Sequence, residues 1–460
     1  MAAPNIVLIM TDDAGYNDFG FTASLNGRTT DVLTPNLDAL ASRSVVMSSG
    51  YVAAPVCSPS RASMMTGQYA SRFGYEDNID GDDGLFSGQL LISHQLKNLG
   101  YTTGAIGKWH LGEINGVNRP LDMGFDEFFG FLSGGRTFWK APGAGVAKRI
   151  TRGNTGVEAE WANEGDTSRY DPIRGRYVTD AFGEEAADFI NRHANGDSPF
   201  FLYVSLHAPH TPLEAKPQDL ELFAGIESGS RRAIAAMTYS IDRAVGDIMS
   251  ALDSNGVDDN TIVVFLNDNG GAPPDKGPYN NAPYRGTKGT LWEGGIRVPF
   301  LMKMPGIEPG VYDRPVVATD LLPTFVAAAG GDISQIDTDG VDISPFITGD
   351  IADNPHELIF WRHANGRFAV RKGDWKLVRP GKDSFVRLHN VADNINESTY
   401  VNSQHPEIVA DLYRELTFWE ATLQKPKWGA LGTNLKRFDH FVFRSELADV
   451  TNWSATGAWR

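Results

Sequence analysis

The sequence predicts an α/β protein, with a mostly parallel central sheet between layers of helices, followed by a smaller α+β subdomain carrying an antiparallel sheet. Three observations predict it. Over the first three quarters, short β-rich runs alternate with helical segments, the pattern of βαβ units. The strand-like runs NIVLIM, PFFLYVSL and TIVVFL are too continuously apolar for a sheet with one wet face, so both faces are expected to be covered. From about Glu357 the texture changes to short runs (LIFWR, RFAVRK, DWKLVR, SFVRLH) punctuated by Gly, Asn and Asp, which suits a meander. The expected division is 1–352 and 353–460.

In order, Asn5 to Met10 reads as a buried strand. Thr34-Pro35 reads as an N-cap followed by proline at the first helical position, with Leu37, Leu40 and Ala41 on one face. Gln89 to Leu99 is a helix closed by Gly100, and Tyr101 to Ile106 a strand. Arg176 to His193 is an amphipathic helix leading into the strand Pro199 to Leu206. The clearest helix runs from Arg231 to Leu252, with Ile234, Met237, Ile241, Val245, Ile248 and Leu252 at helical spacing. Thr261 to Leu266 is a further buried strand, and a helix is expected around Pro406 to Leu423.

Composition sets the bounds. The chain has 460 residues, 41% hydrophobic and 21% charged, enough for a sizeable core. Its 41 Lys+Arg against 57 Asp+Glu leave a net charge of −16, which argues against non-specific nucleic-acid binding. No apolar run approaches the ~18 residues of a membrane span. The opening MAAPNIVLIM shows no basic leader, and the single cysteine, Cys57, allows no intrachain disulfide.

The chemistry-bearing residues cluster by position. In open α/β sheets, ligands bind beyond the carboxyl ends of the strands. Asp12 and Asp13 follow the first strand; Lys108 and His110, in GKWHLG, follow YTTGAI. His207 and His210, in HAPH, follow FFLYVSL, and Asp268 and Asn269 follow TIVVFL. Adjacent carboxylates repel one another, and Asp12, Asp13, Asp268 and the Asn269 amide form an all-oxygen set of the kind that Ca²⁺ or Mg²⁺ prefers. In Cys57-Ser58-Pro59-Ser60-Arg61, Ser58 reads as an N-cap and Pro59 as the first helical residue, placing Cys57 at a helix mouth. A helix N-terminus suits an anion, and the Arg61 fork could grip a tetrahedral oxyanion. Read from the residues alone, Cys57 is either a thiolate nucleophile or a buried thiol under a cap.

CSPSRASMMTG resembles the Cys-x-Pro-x-Arg signature of the type I, formylglycine-dependent sulfatases, together with its usual extension. TDDAGYNDFG, GKWHLG, HAPHTP, NDNGG and RGTKGTLWEGGIRVP are similar to further motifs of that family, in the family's order, and FWRHANGRFAVRKGDWKLV resembles its terminal subdomain. The resemblance implies an alkaline-phosphatase-like α/β/α sandwich. It implies that Cys57 becomes formylglycine, whose hydrate is the nucleophile, through a formylglycine-generating maturation enzyme. It implies calcium ligands Asp12, Asp13, Asp268 and Asn269 with residue 57. Arg61 and Lys108 would hold the diol, and His110 would be the base that releases sulfate. His210 and Lys288 would contact the sulfate, one of them protonating the leaving oxygen, with His207 in support.

Substrate choice is expected to come from loops: Arg136, Trp139 and Lys140 in GGRTFWKAPG, and Arg362 and His363 in FWRHANG, aromatic and basic groups suited to an anionic sugar. The motif style is similar to that of bacterial polysaccharide sulfatases, implying a sulfated carbohydrate substrate and a periplasmic or secreted location. The competing expectations are an arylsulfatase or a phosphate or phosphonate monoester hydrolase, and a glycan binder without activity.

Overall fold

The computed structural model describes residues 3–79, 83–139, 151–152, 176–364, 366–381 and 384–428. Its strands are β1 Asn5–Thr11, β2 Val45–Met47, β3 Gly50–Tyr51, β4 Thr102–Lys108, β5 Glu127–Phe131, β6 Thr151–Arg152, β7 Phe200–Ser205 and β8 Thr261–Asn267. There follow β9 Phe300–Lys303, β10 Gly310–Tyr312, β11 Val316–Val317, β12 Ile359–His363, β13 Arg367–Lys372, β14 Trp375–Arg379 and β15 Arg387–Asn390. The main sheet has the order β10-β2-β9-β8-β1-β7-β4-β5-β6. Its centre, β8-β1-β7-β4-β5, is parallel, while β9 runs antiparallel to β8 and β2, and β6 antiparallel to β5. The sheet is therefore mixed at its flanks. The short β3 and β11 pair separately.

Alternation of side chains explains why the central strands carry no polar stripe. Ile6, Leu8, Met10, Phe201, Tyr203, Val264 and Leu266 point to one face, where they meet the Cys57–Thr66 and Leu321–Ala328 helices through Met64, Met65, Leu322 and Phe325. Val7, Ile9, Leu202, Val204, Val263 and Phe265 point to the other, under the Val178–His193 and Gly229–Ser254 helices. A strand covered on both faces has to be apolar throughout.

The expected elements are present with shifted ends. The Gln89–Leu99 helix is Ile92–Asn98, and the strand expected over Tyr101–Ile106 runs on to Lys108, whose backbone is thus part of the sheet. The helix expected from Arg231 runs Gly229–Ser254, with Ser228 Oγ accepting from Arg231 N. Pro59 does not open its helix. Cys57 is the first helical residue after Val56, and Ser58 and Pro59 lie inside the first turn. Ser58 Oγ is drawn away from a capping role by the His110 carbonyl (2.6 Å) and Tyr75 (2.5 Å).

β4 needs its glycine. Gly107 has φ +104, and a Cβ there would stand 2.0 Å from the Ser205 carbonyl oxygen on neighbouring β7. Gly107→Ala is expected to cost about 2 kcal/mol or more of unfolding free energy, measured by urea denaturation, because strain and a backbone clash add.

The C-terminal part is a four-stranded antiparallel sheet, β12-β13-β14-β15, with the Pro406–Glu420 helix across it. Phe368, Val370, Leu377, Leu388, Leu412 and Leu416 form its own apolar cluster, while Trp361 and Val378 face the main core. A fully buried charged cluster ties it to the sheet domain. Lys376 Nζ lies 2.8 Å from Glu293 and 3.0 Å from Glu397, whose other carboxylate oxygen accepts from Glu293 N at 2.7 Å. Arg297 and the Tyr51 hydroxyl complete the set on Glu293.

Candidate active site

Strand register brings the polar clusters together. Thr11 pairs with Asn267 at the ends of β1 and β8, and Met10 with Ser205 on β7, so the next residues of each strand emerge side by side. Thr11 Oγ1 is hydrogen-bonded to Asn267 Oδ1, and Asp268 N donates to Thr11 O at 3.0 Å. Asp12 N donates to Ala208 O at 3.2 Å, fixing the first acid against the loop after β7. Asp13 turns back with φ 66 and His110 with φ 56, left-handed conformations that non-glycine residues rarely hold.

The centre is dense with charge. Lys108 Nζ is 2.6 Å from Asp12 Oδ2, and Lys288 Nζ is 2.6 Å from Asp13 Oδ1 and 2.9 Å from Cys57 Sγ. Arg61 gives Nε and Nη2 to Asp268 Oδ2 at 3.0 and 2.8 Å, and Nη1 to the Tyr203 hydroxyl at 3.1 Å and to Ser205 Oγ. Its guanidinium is thus bonded to Asp268, Tyr203 and Ser205. Burial would raise Asp12, but Lys108, His210 and Arg61 hold its carboxyl well below the usual carboxylate range. Burial and the charge of Asp12 push Asp268 up to about 6, so Asp12 is the more firmly ionised of the two.

Cys57 lies at the mouth of its helix with its side chain buried. Its Sγ stands 3.5 Å from Asp12 Oδ1. Burial and Asp12 raise the thiol to about 12 despite Lys108 and Lys288. Of the two readings that the sequence leaves open, this direction favours the buried thiol: desolvation and a carboxylate oppose the pull of both ammonium groups.

Side-chain ligand atoms of Asp12, Asp13, Cys57 and His210 lie within 4.8 Å of one another. Asp268 is not of that tight group; it adjoins it through Oδ1, 3.4 Å from Asp13 N. Asn269 Nδ2 donates to Asp13 Oδ1 at 2.8 Å, while its buried Oδ1 has no hydrogen-bond partner among the described residues. A buried amide oxygen beside carboxylates is a donor set for a hard divalent cation.

The histidines differ. Burial, reinforced by Lys108 and Arg61, lowers His110 well below the usual range, and its buried Nδ1 has no partner among the described residues. His207 is buried, stacked on Phe138 at 4.6 Å, and accepts from Arg136 N at 3.4 Å. His210 is partly exposed, with Nε2 3.6 Å from Asp13 Oδ2 and Nδ1 2.6 Å from the Thr211 carbonyl.

The expected substrate loops are placed unevenly. Arg136 is buried, donating Nε to Thr137 O. Trp139 is half-buried against Tyr177, 5.1 Å between rings, and Lys140 lies outside the described residues. Arg362 is paired with Glu76, and His363 is buried with Nδ1 2.9 Å from the Glu76 carbonyl. Both hold the loop from which Asn78 Oδ1 accepts the Ser58 N–H at 3.0 Å, and Arg367, opposite His363, donates to Gly289 O at 2.6 Å. The β12–β13 hairpin therefore braces both segments that flank Cys57. Sequence reasoning missed Tyr203, Ser205, Tyr75 and Asn78. Ser205 alone left a signal, as the one hydroxyl at the carboxyl end of an apolar strand.

A doubly covered sheet whose central strand ends project an acid, lysine and histidine cluster onto a helix-mouth cysteine matches the alkaline-phosphatase-like architecture that the resemblance implies. A model of the sulfatase family matches residues 4–331. Arylsulfatase J of Mus musculus is 33% identical over 390 residues, 82% of this chain and 62% of that protein, so the chain spans under two thirds of its length. N-acetylgalactosamine-6-sulfatase of Rattus norvegicus is 34% identical over 439 residues, 88% of this chain and 78% of that one. The crystal structure of Ps i-CgsB in complex with k-i-k-neocarrahexaose superposes with a TM-score of 0.85 at 34% identity, covering 95% of this chain and 98% of that chain. The chain belongs to the sulfatase family. Among the described residues, no helix is long and apolar enough to cross a membrane.

Proposed function

We propose that this protein removes sulfate from an oligosaccharide or polysaccharide ester, with residue 57 matured to formylglycine and a calcium ion held by Asp12, Asp13, Asp268 and Asn269 together with residue 57. The observation that carries it is the placement of Cys57, where four strand ends converge, with Sγ 2.9 Å from Lys288 Nζ and 3.5 Å from Asp12 Oδ1, in a chain of the sulfatase family. Burial and Asp12 raise its thiol, which suits a nucleophile other than the thiolate. The matured residue would supply a hydrated aldehyde to attack sulfur, and the cation a Lewis-acid hold on an anionic oxygen. The partnerless Asn269 Oδ1 supports the cation, and the fit of Ps i-CgsB, solved with an oligosaccharide, supports the substrate class.

The chain's own groups divide the remaining work. Lys288, 2.9 Å from Sγ of residue 57, can contact sulfate oxygens there, and Lys108 offsets negative charge beside Asp12. Arg61 orients Asp268. His110, kept neutral by burial, can accept a proton, which suits the base that releases sulfate. His210 gives its Nδ1–H to the Thr211 carbonyl, so Nε2 donates only as imidazolium; in that form it can protonate a leaving alkoxide. Maturation requires a formylglycine-generating enzyme as partner, and export to the periplasm or medium follows from the substrate class.

The test is sulfate release across a panel of sulfated oligosaccharides, run beside aryl sulfates and phosphate and phosphonate monoesters. The same sample is checked by peptide mass spectrometry for aldehyde at residue 57. Release from oligosaccharides is expected; faster turnover of phosphate or phosphonate esters by the matured protein would overturn the reading. His210→Ala should lower kcat on alkyl sulfates by about 10²–10⁴-fold and on activated aryl sulfates far less, because only the former need a protonated leaving group. Equal losses on both would remove the acid role.

A further inference from the structure

A second basic feature lies outside the catalytic cluster, on the seam between the Lys288 loop and the C-terminal sheet. Arg285, three residues before Lys288, is exposed and lays its guanidinium 4.0 Å from the Trp292 ring centre. Arg387, at the start of β15, approaches the same indole at 5.6 Å and the Phe385 ring at 5.0 Å. The two guanidinium groups thus share one aromatic platform, contributed by the sheet domain on one side and the C-terminal sheet on the other. Phe385 extends that platform to Tyr400, 5.2 Å away and 53% exposed.

Among the described residues neither arginine forms an ion pair, on a chain of net charge −16. Arg285 spends one N–H on the backbone carbonyl of Glu397, and Arg387 keeps a buried Nε with no hydrogen-bond partner among the described residues. Behind them, His389 is 1% exposed, its ring 5.5 Å from Trp292, and its Nε2 is likewise partnerless. Two cations outside any ion pair among the described residues, a buried indole between them and the exposed Tyr400 ring make a recognition surface for an anionic sugar.

We propose that Arg285, Arg387, Trp292 and the Phe385–Tyr400 pair form a subsite for a second sulfate group on the same oligosaccharide, on a sugar neighbouring the one that is hydrolysed. The proposal rests on the carbohydrate-sulfatase reading and deepens it. The Lys288 loop joins the two sites directly: its base carries Arg285 and Trp292, while the Lys288 ammonium reaches Cys57. A substrate with one sulfate would use the catalytic cluster alone, and one with two would span both. The subsite would thus select multiply sulfated glycans.

The test uses the full chain. Arg285→Gln, Arg387→Gln and the double variant are assayed on two oligosaccharides of one backbone, bearing either the reactive sulfate alone or that sulfate and one more on the adjacent sugar. Tryptophan-fluorescence titration of the same oligosaccharides into Cys57→Ala protein, with and without the arginine changes, measures binding without turnover. The ratio of kcat/KM for the doubly over the singly sulfated substrate is expected to fall roughly ten-fold for each arginine removed, with a parallel rise in Kd for the doubly sulfated ligand only. An unchanged ratio, or equal losses on both substrates, would overturn the subsite and leave a merely structural stacking role. If wild-type protein releases sulfate from neither oligosaccharide, the carbohydrate reading itself falls, whereas an unchanged ratio in active enzyme removes only the subsite.

Discussion

Cys57→Ala is expected to lower sulfate release by on the order of 10⁴-fold or more, with the protein still folded. The residue stands where the Lys108, Lys288 and Asp12 side chains meet, and among the described residues no other hydroxyl or thiol is bonded to the Lys288 ammonium. Alanine lacks the thiol that the proposed maturation, oxidation of Cβ to an aldehyde with loss of sulfur, requires. It also removes a small side chain from a pocket whose walls are charged groups already bonded to one another, so little packing is lost. Urea denaturation should therefore shift by no more than about 1.5 kcal/mol. Cys57→Ser keeps the volume but presents a hydroxyl where the proposed chemistry requires an aldehyde hydrate, and should be nearly as inactive. Substantial turnover by Cys57→Ala, with mass spectrometry confirming the substitution, would remove the nucleophile assignment.

Arg61→Met is expected to be the most damaging change to stability within the site, costing about 3–5 kcal/mol. Both Arg61 and Asp268 have side chains at 0% exposure, and Asp268 Oδ2 takes two N–H bonds from this one guanidinium. Methionine fills comparable space but leaves a carboxylate beside Asp12 without its main counter-charge, and strips the Tyr203 and Ser205 hydroxyls of a partner. Asp268→Asn in the same chain should restore part of the loss, because the uncompensated charge is then gone. That recovery, read from denaturation midpoints, distinguishes an electrostatic role from packing. If the double variant were no more stable than Arg61→Met, the pairing would not be the source of the effect.

The sheet and the positions of the strand ends were legible in the sequence, because a parallel sheet covered on both faces forces NIVLIM, FFLYVS and TIVVFL to be apolar and to stop where polar residues begin. The membership of the central cluster follows from those stops. The partners within it were less legible. The contacts of Arg61 with Asp268, Tyr203 and Ser205 were not legible, since which side chains oppose it depends on register across β1, β7 and β8 that local pattern does not encode. The helix start was misplaced by the pull of Ser58-Pro59, because the serine hydroxyl is claimed by the His110 carbonyl and Tyr75, residues distant in sequence. Arg362 and His363 read as substrate contacts for their charge and aromatic neighbours, yet they brace the Glu76 loop. The antiparallel β9 and β6 were not foreseen, since short flanking strands carry no pattern that sets their direction.

The junction at Lys376 has a consequence for how the chain can be divided. Glu293 begins the short helix five residues beyond Lys288, and the ammonium that neutralises it arrives from β14, more than eighty residues downstream. A fragment ending before β14 would lose that ammonium, uncover the inner edge of the core around Trp361, and leave Glu293 facing its remaining partners from the sheet side alone. The catalytic half is therefore not a portable unit: its active-site loop is anchored by the very segment that a truncation would discard.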